Sequence, residues 1–462
     1  MEEEEKNDYF RKFKNDIQVV LIDTNYGVPS AYVWLPYGLK MRNNFFSTME
    51  NVAAENGYEF YGFPVLLKKE FLESQKKMMD FENGVIYVTR FGKKELAKPL
   101  YLRPDSIAQV LTMAKAWIKS NGSLPLRLST EGEIYRVQQG YPIISGLGGI
   151  MLESYAFFAT EKEAQVEIKK LEDVLRLLVE KFYLPVLVIR KLESNKLYDS
   201  KIAFYVRLPQ GKVSNIIPLY NHGLKYSKSF NLAYRDGSNK YAEPYMCSWG
   251  VSERMMGIML MLCSDEKGLV IPPEFTPIKI VIIPISKYAD LPEVKRYIKE
   301  LTADLSENGF SYLVDNEKGF LPKKYEKYER MGVPIRIEVG KKEVDGKEVL
   351  FVRRDTGKEA RVKRSKFVGD LDGTLKEISD SIKKRIMEVT GDSEVKVKTL
   401  DELSSSDVKK IKVFGCCETE QCRRKIRETA TGKFLGMDAR QIKERCIVCG
   451  KNGKICYISR KF

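Results

Sequence analysis

The chain contains one histidine, His222. That scarcity excludes an H-E-x-x-H protease, a metal centre built from several imidazoles, and any mechanism relaying protons between two histidines. No run of about 18 apolar residues occurs, so no helix is expected to span a membrane. The acidic opening Met1-Glu-Glu-Glu-Glu-Lys6 lacks the basic-then-apolar order of a secretory signal and the acid-poor character of a transit peptide. The expected location is cytoplasmic. Cysteine is sparse along most of the chain: six of the eight fall between Cys416 and Cys456, a local cluster and not a chain-wide disulfide framework. Internal repeats and low-complexity segments are absent from the sequence.

What is present points to a large soluble chain. Its 462 residues correspond to about three domains, and 43% apolar with 31% charged residues is a globular balance. Lys and Arg outnumber Asp and Glu 78 to 63, a formal charge of +15. Such a surplus favours a polyanionic partner, nucleic acid first, against the plainer reading of a solvated basic face.

Residues 37–56 read as a helix stopped by Gly57 and followed by the aromatic strand 58–61, ending at Pro64. Apolar residues at three- and four-residue spacings behind Thr160 predict a core-facing helix over 161–182. Short runs such as 201–207 and 214–220 read as antiparallel strands. Three prolines within Ile271–Pro277 end regular structure. Beyond them, strand 279–285, helix 291–308 and strands 310–314, 335–339 and 349–353 suggest an α/β layer arrangement, followed by a charged helix over 375–389 and a short stretch at 395–400.

In the cysteine cluster, Cys417 and Cys422 form one close pair and Cys446 and Cys449 another. Paired thiolates close a tetrahedron around Zn²⁺ without long-range strain, and four of them leave no position open for catalysis. The expectation is a structural zinc. Cys416 and Cys456 stand as substitutes, and unmetallated buried thiols as the other reading.

Leu102-Arg-Pro-Asp-Ser-Ile-Ala108, Trp117-Ile118 and Leu124-Pro-Leu-Arg127 resemble the R-P-T-S-E…W…L-P stretch of prolyl-tRNA synthetases. Cys247-Ser-Trp-Gly-Val-Ser-Glu-Arg254 with Gly268-Leu-Val-Ile-Pro-Pro273 resembles that family's third signature motif. Gly332–Gly340 and Arg353-Arg-Asp-Thr-Gly357 resemble its anticodon-binding domain. The likeness runs over about residues 20–462 and includes the four-cysteine tail of the archaeal and eukaryotic type.

The resemblance implies an α+β protein with three domains. These are a class II antiparallel-sheet catalytic domain (1–275), an α/β anticodon-binding domain (276–373) and a small zinc-binding C-terminal α/β domain (374–462). It also implies a homodimer built partly on the first helix-strand unit, and proline-type tRNA as partner. Tyr135-Arg136 matches the second motif, so Arg136 is expected at the α-phosphate and amino-acid carboxylate; Arg254 is expected near the phosphates of ATP, and Glu153 persists from the family's K-E-A-H stretch. For the anticodon, Glu329 and Arg336 keep the seven-residue relation that reads two guanines, with Lys358 nearby.

The amino-acid pocket departs from the family pattern. Asp105 and Ile107 replace the Thr and Glu of R-P-T-S-E, Gln138 follows where F-R-x-E has Glu, Tyr155 replaces a histidine, and Trp249 lies in the third motif beside the pocket. Ser145-Gly-Leu-Gly-Gly149 stands where the family has R-x-R-E, read as a flexible loop replacing phosphate contacts and weakening any ATP and Mg²⁺ site. Hence the expectation is a tRNA-binding relative with a remodelled pocket and a non-standard acyl substrate or tRNA-linked step. The alternatives are a functional proline–tRNA ligase and an inactive tRNA-binding or regulatory paralogue.

Overall fold

The computed structural model describes residues 20–76, 84–136, 142–391, 393–405 and 407–461. They form two compact units.

The larger unit takes in 48–255 and 388–462. Its frame is a twelve-stranded sheet. The central strands Val186–Arg190, Ser200–Leu208, Lys212–Gly223, Tyr245–Ser252, Gly148–Phe158 and Leu126–Tyr135 are neighbours in that order, all antiparallel. Beyond Val186–Arg190 the sheet continues through Lys433–Asp438, Asn452–Lys461, Ile411–Cys416 and Glu394–Lys396. Of the residues expected to form a separate C-terminal domain from 374, those up to 387 belong to the smaller unit and the strands from Glu394 onward share this sheet with the central strands. Short strands of alternating character expose backbone edges, and pairing the two sets satisfies those edges.

One face of this sheet is covered by the helix Glu161–Lys181, which follows the expected bounds. Thr160 caps it reciprocally: its hydroxyl accepts from the Glu163 amide at 3.3 Å while the Glu163 carboxylate accepts from the Thr160 amide at 2.9 Å. Ala164, Ile168, Leu171, Leu175 and Leu178 are buried, and truncating Leu171 to Ala would cost about 2–5 kcal/mol. The helix Ile107–Trp117 packs on an apolar cluster that includes Tyr155, Phe157, Tyr226 and Met246.

The smaller unit holds a five-stranded sheet, ordered Tyr312–Val314, Ile280–Pro284, Ile335–Val339, Glu348–Arg353 and Glu359–Lys363. The first three are parallel and the last two antiparallel. Pro292–Glu307 and Leu321–Met331 are helices, the latter closed by Gly332 at φ +70°, where a left-handed C-cap favours glycine. The expected helix at 37–56 is Pro36–Glu55. Among the described residues no helix is long and apolar enough to cross a membrane.

Gly148 and Gly149, read from sequence as part of a flexible loop, instead open the strand Gly148–Phe158 and pair with Tyr135 and Ile134. A two-residue period is invisible where side chains are missing, so glycine composition misleads there.

Candidate active site, metal centre and anticodon face

Side-chain alternation sorts the site. Register aligns Lys201 with Tyr220, Tyr220 with Ser248 and Ser248 with Tyr155, a row across four strands on one face. Glu153, two residues before Tyr155, lies on that face. Its buried carboxylate accepts from the Ser106 amide at 2.9 Å and from the Tyr155 hydroxyl at 2.9 Å. Asp105 is also buried, and one of its oxygens accepts from the Ile107 amide at 3.3 Å. Burial, then the neighbouring charge of Asp105, raises the Glu153 pKa above the usual carboxylate range.

Arg136 approaches this acid pair, with Nη2 3.8 Å from Asp105 and Nε donating to the Pro104 carbonyl at 2.7 Å. Arg254, at the start of the helix Glu253–Cys263, donates from Nε to the Ile144 carbonyl at 3.0 Å. Burial and then the charge of Arg136 lower the pKa of Arg254, so the two guanidinium groups repel one another across the site. Arg103 lies beneath, donating to the Glu133 carbonyl at 2.7 Å. Gly132 makes room for it, since a Cβ there would meet Arg103 Nη2 at 1.8 Å.

The structure thus brings together Asp105, Arg136, Glu153, Tyr155 and Arg254. Ile107 is buried in the apolar cluster with Tyr155 and Tyr226, so it contributes packing and no charge. Trp249 is a correction. It pairs with Ser154, which lies on the opposite face from Glu153 and Tyr155, and its ring meets Tyr58 edge-on at 6.5 Å. Tyr58 donates to Glu167 of the covering helix at 3.0 Å, so Trp249 belongs to the helix-covered side and not to the substrate pocket. Gln138 lies outside the described residues. Sequence reading missed Tyr220 and Ser248 as neighbours of the pocket; the signal available was their alternation along strands.

His222 is buried, with Nδ1 2.7 Å from the Leu197 carbonyl and Nε2 2.8 Å from the Ser248 hydroxyl. A carbonyl can only accept, so Nδ1 carries the hydrogen and Nε2 accepts. Burial pushes its pKa down to about 4. A neutral ring held this way supports the wall of the pocket.

The four expected cysteine ligands converge: the sulfurs of Cys417, Cys422, Cys446 and Cys449 lie within 4.8 Å of one another, with Cys417 and Cys449 3.7 Å apart. A tetrahedron with metal–sulfur bonds of about 2.3 Å has edges of about 3.8 Å, so the cluster is able to hold a metal ion. Cys416 points elsewhere: hydrogen bonding with Cys456, then burial, pushes its thiol pKa up, which keeps it protonated.

On the anticodon-type sheet, Arg336 stacks over the Tyr325 ring at 3.9 Å and pairs with Glu338 at 3.2 Å. Glu329 lies 3.4 Å from Lys267. Lys358 is exposed in the turn between Glu348–Arg353 and Glu359–Lys363.

The antiparallel sheet thus holds a buried acid pair, Asp105 and Glu153, beside the arginine Arg136. Residues 87–262 match the tRNA synthetase class II core domain (G, H, P, S and T), and residues 279–373 match the anticodon binding domain. The chain is 30% identical to the proline–tRNA ligase of Pyrobaculum neutrophilum over 429 residues, covering 90% of this chain and 87% of that protein. It is 29% identical to the Thermoplasma volcanium enzyme, covering 99% of this chain and all of that protein. The chain belongs to the proline–tRNA ligase family. In fold it is similar to the Giardia lamblia prolyl-tRNA synthetase in complex with prolyl-adenylate, with a TM-score of 0.90 over 98% of each chain at 22% identity. A Cryptosporidium parvum prolyl-tRNA synthetase complexed with halofuginone and AMPPNP is similar at a TM-score of 0.87, covering 97% of this chain and 94% of that one, at 24% identity.

Proposed function

We propose that this chain is a working proline–tRNA ligase, joining proline to ATP and then to the 3′ end of proline-type tRNA. Similarity along nearly the whole chain supports this reading better than a non-standard acyl substrate. The single observation that carries it is the similarity to the Thermoplasma volcanium proline–tRNA ligase over 99% of this chain and all of that protein. Arg136 and Arg254 feel one another's charge, and a polyphosphate beside both would relieve it, so the two cations fit ATP with its Mg²⁺ despite the departures in the second motif. Arg136 then holds the α-phosphate and the amino-acid carboxylate, and Glu153 accepts from the amino group. Orientation of the carboxylate against the α-phosphate supplies the gain in rate.

One observation favours the second reading, a different amino acid. Asp105 and Glu153 are both buried at the same place, and two carboxylates suit a substrate carrying an additional cation better than plain proline. Pyrophosphate exchange with proline and with each other amino acid decides. Exchange that depends on proline supports the ligase; exchange that depends on a cationic amino acid replaces it with the second reading. No exchange with any amino acid, alongside retained tRNA binding, leaves a regulatory tRNA-binding role.

The same proposal assigns Glu329, Arg336 and Lys358 to the anticodon, Zn²⁺ as a structural ion on the four cysteines, and a cytoplasmic homodimer, measurable by light scattering.

A further inference from the structure

A second cavity, about 570 Å³, lies within the larger unit, beside the row that ends at Lys201. It is lined by Lys191, Lys201, Lys433, Lys461 and Arg427, with Glu193 as the one carboxylate, and Glu193 is taken up by its ion pair with Arg427. No sequence neighbourhood announces it: Lys191 follows the strand Val186–Arg190, Lys201 lies on Ser200–Leu208, and Lys433 and Lys461 lie on the C-terminal strands, brought together by the shared sheet.

Two observations say that this wall is built to face negative charge. Lys191, Lys201, Lys433 and Lys461 line one cavity, a gathering of like charges that is relieved when an anion is added, and burial, then the charge of Lys433, lowers the Lys461 pKa. Burial, then Lys461, Lys201 and Lys433, pushes Lys191 down to about 7, and burial pushes Lys201 down to about 8. Lys201 Nζ lies 2.9 Å from the Tyr220 hydroxyl, and Tyr198 and Tyr205 line the same space. Tyrosine faces beside cations suit a nucleotide more than a bare anion.

We propose that this cavity is a phosphate-binding site, separate from Arg136 and Arg254. The phosphate comes from a free nucleotide or pyrophosphate, or from a phosphodiester of bound tRNA. The site stands whether or not the chain forms prolyl-adenylate, because it uses none of the residues assigned to that step.

The test is calorimetric titration of the full chain with inorganic pyrophosphate, and filter binding with tRNA, both at fixed ionic strength. Three variants are compared: Lys433→Gln with Lys461→Gln, Lys433→Arg with Lys461→Arg, and Arg254→Ala. The proposal expects the Gln pair to weaken pyrophosphate or tRNA at least tenfold, while the Arg pair, which keeps the charge and reports on folding, stays near wild type. Pyrophosphate weakened alone identifies a small-molecule phosphate; tRNA weakened identifies an RNA phosphate. If the Gln pair binds both probes as wild type does, or only Arg254→Ala loses pyrophosphate while tRNA is unaffected by the Gln pair, the proposal is overturned.

Discussion

The ring of His222 accepts a hydrogen bond from the Ser248 hydroxyl at 2.8 Å, across neighbouring strands of the pocket face. Protonating Nε2 would turn that acceptor into a donor inside a buried site, and the pH dependence follows. In the unfolded chain the imidazole takes up a proton near 6.5, in the folded chain near 4. Between these values the unfolded state binds more protons, so the contribution of His222 is whole above about pH 6.5 and is lost as pH falls toward 4. Its full size is on the order of 3 kcal/mol. Urea unfolding at pH 7.5 and 5 should show the wild type losing more stability than His222→Gln; parallel losses would reject this account.

Tyr155→Phe keeps the ring in its apolar cluster but removes the donor to Glu153. A buried carboxylate oxygen left without its partner costs about 1–3 kcal/mol. Chemical denaturation should show a drop of that size with no change in the secondary-structure signal, and an unchanged midpoint would mean that solvent replaces the hydroxyl.

The purified chain is expected to carry one zinc per molecule on Cys417, Cys422, Cys446 and Cys449. Metal analysis checks the stoichiometry, and chelation should lower the unfolding temperature because ligand binding energy is folding energy in such sites. Less than about half an equivalent, with no effect of chelation, would leave the four thiols unmetallated.

Arg336→Ala should weaken proline-type tRNA by about 1–3 kcal/mol while affecting unrelated tRNAs little, since a fork donor reads a guanine edge and a phosphate contact does not discriminate. Filter binding across several tRNAs separates the two. Equal losses for all of them would make Arg336 a general backbone contact.

Local chemistry was enough to place much of this protein. The Thr160 cap and its apolar period specify the helix Glu161–Lys181, Gly57 and Gly332 mark helix ends, and the spacing of Cys417, Cys422, Cys446 and Cys449 specifies one cluster, because each depends on residues near in sequence. Motif order alone led to the family. The tertiary structure decided which face each strand residue occupies and which strands meet. Pairing Trp249 with Ser154 sends it to the helix side, away from Glu153, because side chains on one strand alternate and a motif does not say which way the sheet turns. Joining Lys433–Asp438 and Asn452–Lys461 to Val186–Arg190 gathers Lys191, Lys201, Lys433 and Lys461 around one cavity. Their separation along the chain is too great for any local pattern to record, and only the shared sheet makes their charges neighbours.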